Sequence, residues 1–331
     1  MRNEQQPTCQ RGVDKTTLDY YNEFEQTILK KVFQDTYSKN LKTYDLIDHI
    51  DHMASEYGLT QSPSYWSIRA ALRGFSGHHR ALINGSVGER RALNAIKHAS
   101  SRKRVLSNVR LEHDGELIEI DYVVITQAGI FCIEVKNYSH DLFISSDGAF
   151  KNSESESYND YNIGERMSAN KFVLNAILSE RLEGGFNTGV FCVLLNASRA
   201  ASIRNHFPHI DLCSLGNIAT YIDSVSIEEN YLTDSRIEKI AECIESARYE
   251  FAETQPKDFI MISEKLNNFI SEIDNAIQAD IGNRIQTKAT EEAQVAGTVK
   301  PRMTLLREAG ICACSLAIGA ICGAVFSKVL R

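Results

Sequence analysis

Two consecutive runs, ELIEIDYVVIT at residues 116–126 and GIFCIEVKN at residues 129–137, constrain this chain more than any other stretch. Both are rich in Val and Ile and are bounded by turn signals, His113-Asp114-Gly115 and Gln127-Ala128-Gly129, so they read as strands joined by a short turn. Asp121 falls inside the first hydrophobic strand, and Glu134 and Lys136 fall near the end of the second. Side chains alternate along a strand, so Glu134 and Lys136 point to one face. Twelve residues lie between Asp121 and Glu134, a spacing that a hairpin accommodates. Two carboxylates and an ammonium at one sheet edge are costly unless something uses them. A divalent cation is the natural partner, because Mg²⁺ takes one or two carboxylates, waters and phosphate oxygens. The plainer alternative is a structural ion pair at a strand end, with Glu134 and Lys136 solvated.

The surrounding pattern is α/β. Residues 14–82 read as helices, with Leu18, Phe24, Ile28, Val32 and then Leu46, Ile50, Met53 at helical spacing. A Gly-Ser break at residues 84–89 (NGSVGE) is expected to open a new unit, beginning with a helix over about residues 86–99. A basic turn, SRKR, and a first strand, VLSNVRL, precede the two runs above. The polar stretch 145–164 reads as a loop. A helix (ERMSANKFVLNAILSERL), a buried-looking strand (TGVFCVLLN), a short strand (HIDLCSL) and a helix (NIATYID) then complete the unit near residue 225. Helix, three strands, helix, strand predicts a mixed sheet covered on both faces.

Charge is distributed unevenly. The chain of 331 residues carries a formal net charge of −7, which by itself argues against a general nucleic-acid coat. Residues 85–112 nevertheless hold seven Lys/Arg against two Asp/Glu, whereas residues 223–274 hold five against thirteen. Arg102, Lys103 and Arg104 are therefore expected to grip backbone phosphates, with a solvated turn as the alternative. The eight cysteines include no CxxC pair, which argues against a zinc ribbon or a thioredoxin-type centre.

Beyond residue 225 a helical stalk is expected over residues 226–290, followed by a linker over 291–308. Phe259, Ile262, Leu266, Phe269 and Ile273 alternate steps of three and four, and Ile277, Ile281 and Ile285 follow at steps of four. This suits either a packed amphipathic helix or a short coiled-coil oligomerisation stalk. Residues 309–327 carry no charge and would be roughly 28 Å long as a helix, close to a bilayer core of about 30 Å. A single-pass C-terminal transmembrane anchor is expected there, with Gly319 and Gly323 at close-packing spacing for self-association. The N-terminus has no apolar stretch, so no cleaved leader is expected. With reduced thiols and a phosphate-bearing partner, the soluble part is expected on the cytoplasmic side of the membrane.

The string GERRAL, the IDYVVIT strand and the GIFCIEVKNY strand resemble the NERD (nuclease-related) domain of the PD-(D/E)XK nuclease superfamily. The resemblance spans roughly residues 84–225 and implies a restriction-endonuclease-like core, α-β-β-β-α-β, flanked by a helical N-terminal module (1–83) and the C-terminal helices. It implies that Asp121, Glu134 and Lys136 form the metal-and-water triad, with Glu89 as an additional acidic ligand. The chain departs from the family at Tyr122, where a histidine is usual, and in the later helix, where Asn170 is the nearest candidate for the usual glutamine. Asn170 joins Arg102, Lys103 and Arg104 as an expected nucleic-acid contact. The expected activity is Mg²⁺-dependent endonuclease hydrolysis, with Mn²⁺ as an alternative ion and DNA favoured over RNA, in DNA processing or defence against foreign DNA. The rival is a membrane-anchored binding or scaffold protein on a catalytically idle nuclease fold.

Overall fold

A computed structural model describes residues 16–138, 140–152, 158–183, 186–225, 231–249 and 254–297. The expected membrane anchor at 309–327, with Gly319 and Gly323, lies outside the described residues. Among those described, no helix is long and apolar enough to cross a membrane. The chain divides into two compact units after Ile270, within the helix Asp258–Gly297.

The first unit opens with helices α1 (Thr17–Phe33), α2 (Thr43–Glu56) and α3 (Pro63–Lys97). At the start of α3, Pro63 occupies the first turn and the Ser62 hydroxyl accepts from the Ser64 N–H at 3.1 Å. The expected break at residues 84–89 is absent, because α3 runs through it without interruption for 35 residues. Gly85 and Gly88 lower helix propensity but do not end a helix whose Phe75, Gly88, Ala92 and Ile96 all stay buried. One rigid element therefore joins the helical module to the sheet.

The main sheet has the order β1-β2-β3-β7-β9. β1 (Lys103–His113), β2 (Glu116–Thr126) and β3 (Gly129–Lys136) form an antiparallel meander, and β7 (Val190–Asn196) and β9 (Asp211–Ser214) add in parallel. All but the last residue of β3 are buried, as a central strand covered on both faces requires. Ala92 and Ile96 of α3, with Ile218 and Ile222 of α5 (Ile218–Ser224), cover one face. The other is covered by Val173, Leu174 and Ile177 of α4 (Ile163–Arg181) and by Ile237, Ile240 and Ile244 of α6 (Asp234–Ser246).

Two expectations are corrected here. The polar stretch 145–164 is not simply a loop: β5 (Ala149–Asn152) and β6 (Tyr158–Asn162) join β4 (Leu142–Ile144) and β8 (Ile203–Asn205) in a second sheet, ordered β6-β5-β4-β8. Among the described side chains there, Leu142, Ile144 and Phe150 are the buried apolar ones, too few to show as periodicity in sequence. Residues 234–246 and 258–270 are packed helices, the other of the two readings, and not a stalk apart from the core. α6 packs on the sheet, and in α7 (Asp258–Gly297) Phe259 stacks on Phe24 at 4.2 Å and meets Tyr21 edge-on at 4.9 Å. In the second unit, the remainder of α7 exposes Ile281 and Ile285.

Candidate active site

The site is built where two strands part. β1 and β2 pair throughout except at Asn108 and Asp121, the one opposed couple missing from the ladder. Asn108 adopts a left-handed conformation, φ 49°. Across that point the inward-facing positions shift by one residue in both strands: Leu106 gives way to Val109 and Leu111, and Ile118 and Ile120 give way to Val123 and Ile125. Such a paired irregularity re-aims a side chain, and here the one re-aimed is Asp121. Arg248 holds the kink from outside the ladder, donating to the Ser107 carbonyl at 3.1 Å and the Asn108 carbonyl at 2.8 Å.

The pairing of β2 with β3 stops at Tyr122 and Ile133. Past that pair the Val135 N–H donates instead to Asp121 Oδ2 at 2.7 Å. The carboxylate thus takes over a main-chain bond that the parting strands would otherwise lose. Glu134 and Lys136 share one face of β3, as alternation requires, and the Lys136 ammonium lies 2.8 Å from Glu134 Oε1. Glu134 is only 2% exposed, and its Oε2 accepts no hydrogen bond although Arg166 Nη2 stands 3.4 Å away.

Glu89 approaches from α3. Gly88 permits this, because a Cβ there would lie 2.7 Å from Asn137 Cβ just past β3. The Tyr122 hydroxyl donates to the Glu89 main-chain carbonyl at 2.9 Å, tying α3 to the sheet. Tyr122 is therefore a fastener between elements. Burial and the nearby Glu89 and Asp121 charges push its phenol up to about 12.

Burial and the Glu134 carboxylate push the Asp121 carboxyl up to about 7, against the opposing pull of the Val135 N–H and Lys136. The Glu89 carboxyl is also raised, by burial and then by Glu119 and Glu134. Negative charge is therefore crowded at this edge beyond what Lys136 relieves. Together with the unbonded Glu134 Oε2, this is the condition of a cluster that accommodates an added cation. Among the described residues, no three His, Cys, Asp or Glu side chains converge closely enough to hold an ion by themselves. Asp121 and Glu134 match the one or two carboxylates that Mg²⁺ takes, with Glu89 a neighbouring charge and not a third member of a ready ligand set.

Asn170 and the basic turn fare differently. Asn170 is buried on α4, with its Nδ2 3.5 Å from the Glu119 carbonyl, one turn beyond Arg166. Arg166 was not visible as a site residue from sequence; its position four residues before Asn170 was the available signal. Arg102, Lys103 and Arg104 are not brought to the site. β1 begins beside the β2–β3 turn, with Arg104 opposite Ile125, four residues or about 13 Å along β2 from Asp121. There Arg102 pairs with Asp234, Arg104 with Glu238 at 3.2 Å, and Lys103 donates to the Ala99 carbonyl.

Residues 84–195 match the family model described as nuclease-related domain, NERD, from the middle of α3 to the end of β7. Neither a curated protein nor a solved structure matches the chain.

Proposed function

Because the chain carries a nuclease-related domain over residues 84–195, consistent with the PD-(D/E)XK-like nuclease group, we propose that it hydrolyses phosphodiester bonds of nucleic acid at the Asp121, Glu134 and Lys136 edge. The observation that carries this reading is the meeting of two carboxylates at one strand edge: Asp121, held to β3 by the Val135 N–H at 2.7 Å, and the buried Glu134, whose Oε2 accepts no hydrogen bond. A divalent cation, Mg²⁺ or Mn²⁺, held by Asp121 and Glu134 would supply positive charge against the scissile phosphate and make a water more acidic. The Lys136 ammonium, fixed by Glu134, orients the attacking water and balances charge that builds on the phosphate. The Val135 N–H fixes the Asp121 carboxylate, and Tyr122 and Gly88 hold Glu89 and its helix against the same edge. We take the cut to be endonucleolytic and the substrate to be DNA in preference to RNA.

The test is cleavage of plasmid DNA and of a structured RNA by the full chain with Mg²⁺ or Mn²⁺, beside Asp121→Asn and Lys136→Ala. Removing a group that balances transition-state charge costs about 10²- to 10³-fold in rate. Hydrolysis that persists undiminished in both variants would refute the assignment.

One observation favours a second reading, a binding or scaffold protein with an idle site. Both Glu134 oxygens already face a cation, Oε1 facing Lys136 and Oε2 facing Arg166, so the cluster has partners without a metal. That reading predicts nucleic-acid association without divalent-dependent cleavage. Membrane tethering through residues 309–327 belongs to the proposal in either form, as does self-association through α7 and Gly319/Gly323, with the nuclease domain facing the cytoplasm.

A further inference from the structure

A cavity of about 400 Å³ opens between the β1–β2 hairpin and α4, lined by Arg110, Leu117, Glu119, Arg166, Ala169 and Asn170 among others. It shares a wall with the active-site edge: Arg166 Nη2 lies 3.4 Å from Glu134 Oε2 and donates to the Glu119 carbonyl at 3.3 Å. We propose that this cavity receives one unpaired nucleobase of the strand being cut, so that the preferred substrate is single-stranded or locally opened nucleic acid. The inference rests on the phosphodiesterase reading above.

Four features select a base over a phosphate or a duplex. The charged lining residues are two arginines and two glutamates, and Arg110 pairs with Glu119 at 3.1 Å, so the cavity has no net attraction for an anion. Flat guanidinium groups beside Leu117 and Ala169 offer planar and apolar surface, on which a neutral aromatic ring stacks. The polar groups have the complement a base edge needs: an Asn170 amide and a Glu119 carboxylate that accepts from exocyclic amino groups. Asn170 meets the Glu119 carbonyl only at 3.5 Å, the outer limit of a hydrogen bond, so its amide has little to give up. A volume of this size holds a single small-molecule-sized group and excludes a stacked pair of strands. Phe172, an exposed aromatic one helical turn beyond Ala169, offers a further surface for a neighbouring base.

The experiment uses the full chain in Ca²⁺, with fluorescein-labelled 15-nucleotide single strands and the matching duplex, read by anisotropy. A 2-aminopurine is then stepped through the strand around the cleavage position. The single strand binds about tenfold or more tightly than the duplex, and 2-aminopurine emission changes at one position beside the cut. Ala169→Trp fills the cavity and abolishes both the preference and the emission change. Leu117→Ala, at a residue 55% exposed whose loss leaves the core intact, weakens single-strand binding about five- to tenfold. Equal affinity for the two forms, or single-strand binding unchanged within twofold in both variants, overturns the inference. If duplex and single strand are then cut alike and Lys136→Ala still abolishes cleavage, the phosphodiesterase reading stands and only the base pocket falls. No binding of either form, with no cleavage, overturns both.

Discussion

Asp121 carries the strongest local conflict in the site. Its carboxyl is pushed up to about 7 by burial and by Glu134, against about 3.9 in an unfolded chain. The folded protein therefore binds more protons than the unfolded one between those values. Its stability contribution is present below about pH 4 and lost as pH rises through about 7, levelling above that. Asp121→Asn keeps an acceptor for the Val135 N–H while removing the charge. In EDTA at pH 8 urea unfolding should find the variant more stable by on the order of 2 kcal/mol, and the two proteins should converge near pH 4. With Mg²⁺ the order should close, because ligand bound to the folded state stabilises only the protein that keeps the carboxylate. A stability difference between wild type and Asp121→Asn that does not change between pH 4 and pH 8 in EDTA would remove the electrostatic basis for the cation. At this scale the sequence was informative about Asp121, Glu134 and Lys136, because strand alternation alone puts Glu134 and Lys136 together. It was silent about Arg166 and Arg248, which reach their partners from other elements.

Secondary-structure elements explain why the placement of Glu134 and Lys136 was readable and its support was not. β1, β2, β3, α4 and β7 follow from β-branched runs, turn residues and helical period, all local signals. The Asn108–Asp121 kink has no local signal, since Asn108 in a left-handed conformation is ordinary in many turns and here depends on Arg248 far along the chain. Arg248→Ala should leave the ladder on both sides intact but free the Ser107 and Asn108 carbonyls. Cleavage should fall about tenfold with a stability loss of about 1–2 kcal/mol, and faster amide exchange should be confined to the strand segment around Asp121. The continuity of α3 was likewise hidden, because Gly85 and Gly88 look like a break when neither tertiary contact nor burial is known. Gly88→Ala drives a Cβ to within 2.7 Å of Asn137 and should cost about 1–3 kcal/mol, with loss of activity as Glu89 is displaced. Gly74→Ala, in the same helix with nothing within 4 Å, should stabilise by about 0.5–1 kcal/mol and leave cleavage unchanged. Thermal melts of the two variants separate close packing from propensity; equal effects would mean that α3 does not press on the end of β3 as the structure has it.

At the scale of the molecule, α1, α3 and the first turns of α7 belong to one packed aromatic cluster. Phe75 of α3 stacks with Tyr21 at 5.1 Å, and Phe259 of α7 lies against both Tyr21 and Phe24. Ile262, Leu266 and Phe269 continue the buried stripe of α7. The steps of three and four that suggested a stalk are thus largely used up in burying this side of the first unit. Because α3 is shared between that cluster and the sheet, loosening the cluster should reach the site through Glu89 and Tyr122. Two truncations make the point. A chain ending at residue 301 keeps α7 and should retain the melting transition and cleavage of the full chain, while leaving the membrane fraction if residues 309–327 are the anchor. A chain ending at residue 253 strips Phe259 from Tyr21 and Phe24. The loss of several large buried side chains, at about 3–5 kcal/mol for a single Phe→Ala, approaches the stability of a typical domain. The shorter chain should therefore unfold at low urea and lose cleavage, although every residue of the 84–195 match is present. Retention of a full cooperative transition by the shorter chain would mean that the sheet stands without its helical partner and that α7 is dispensable to the site.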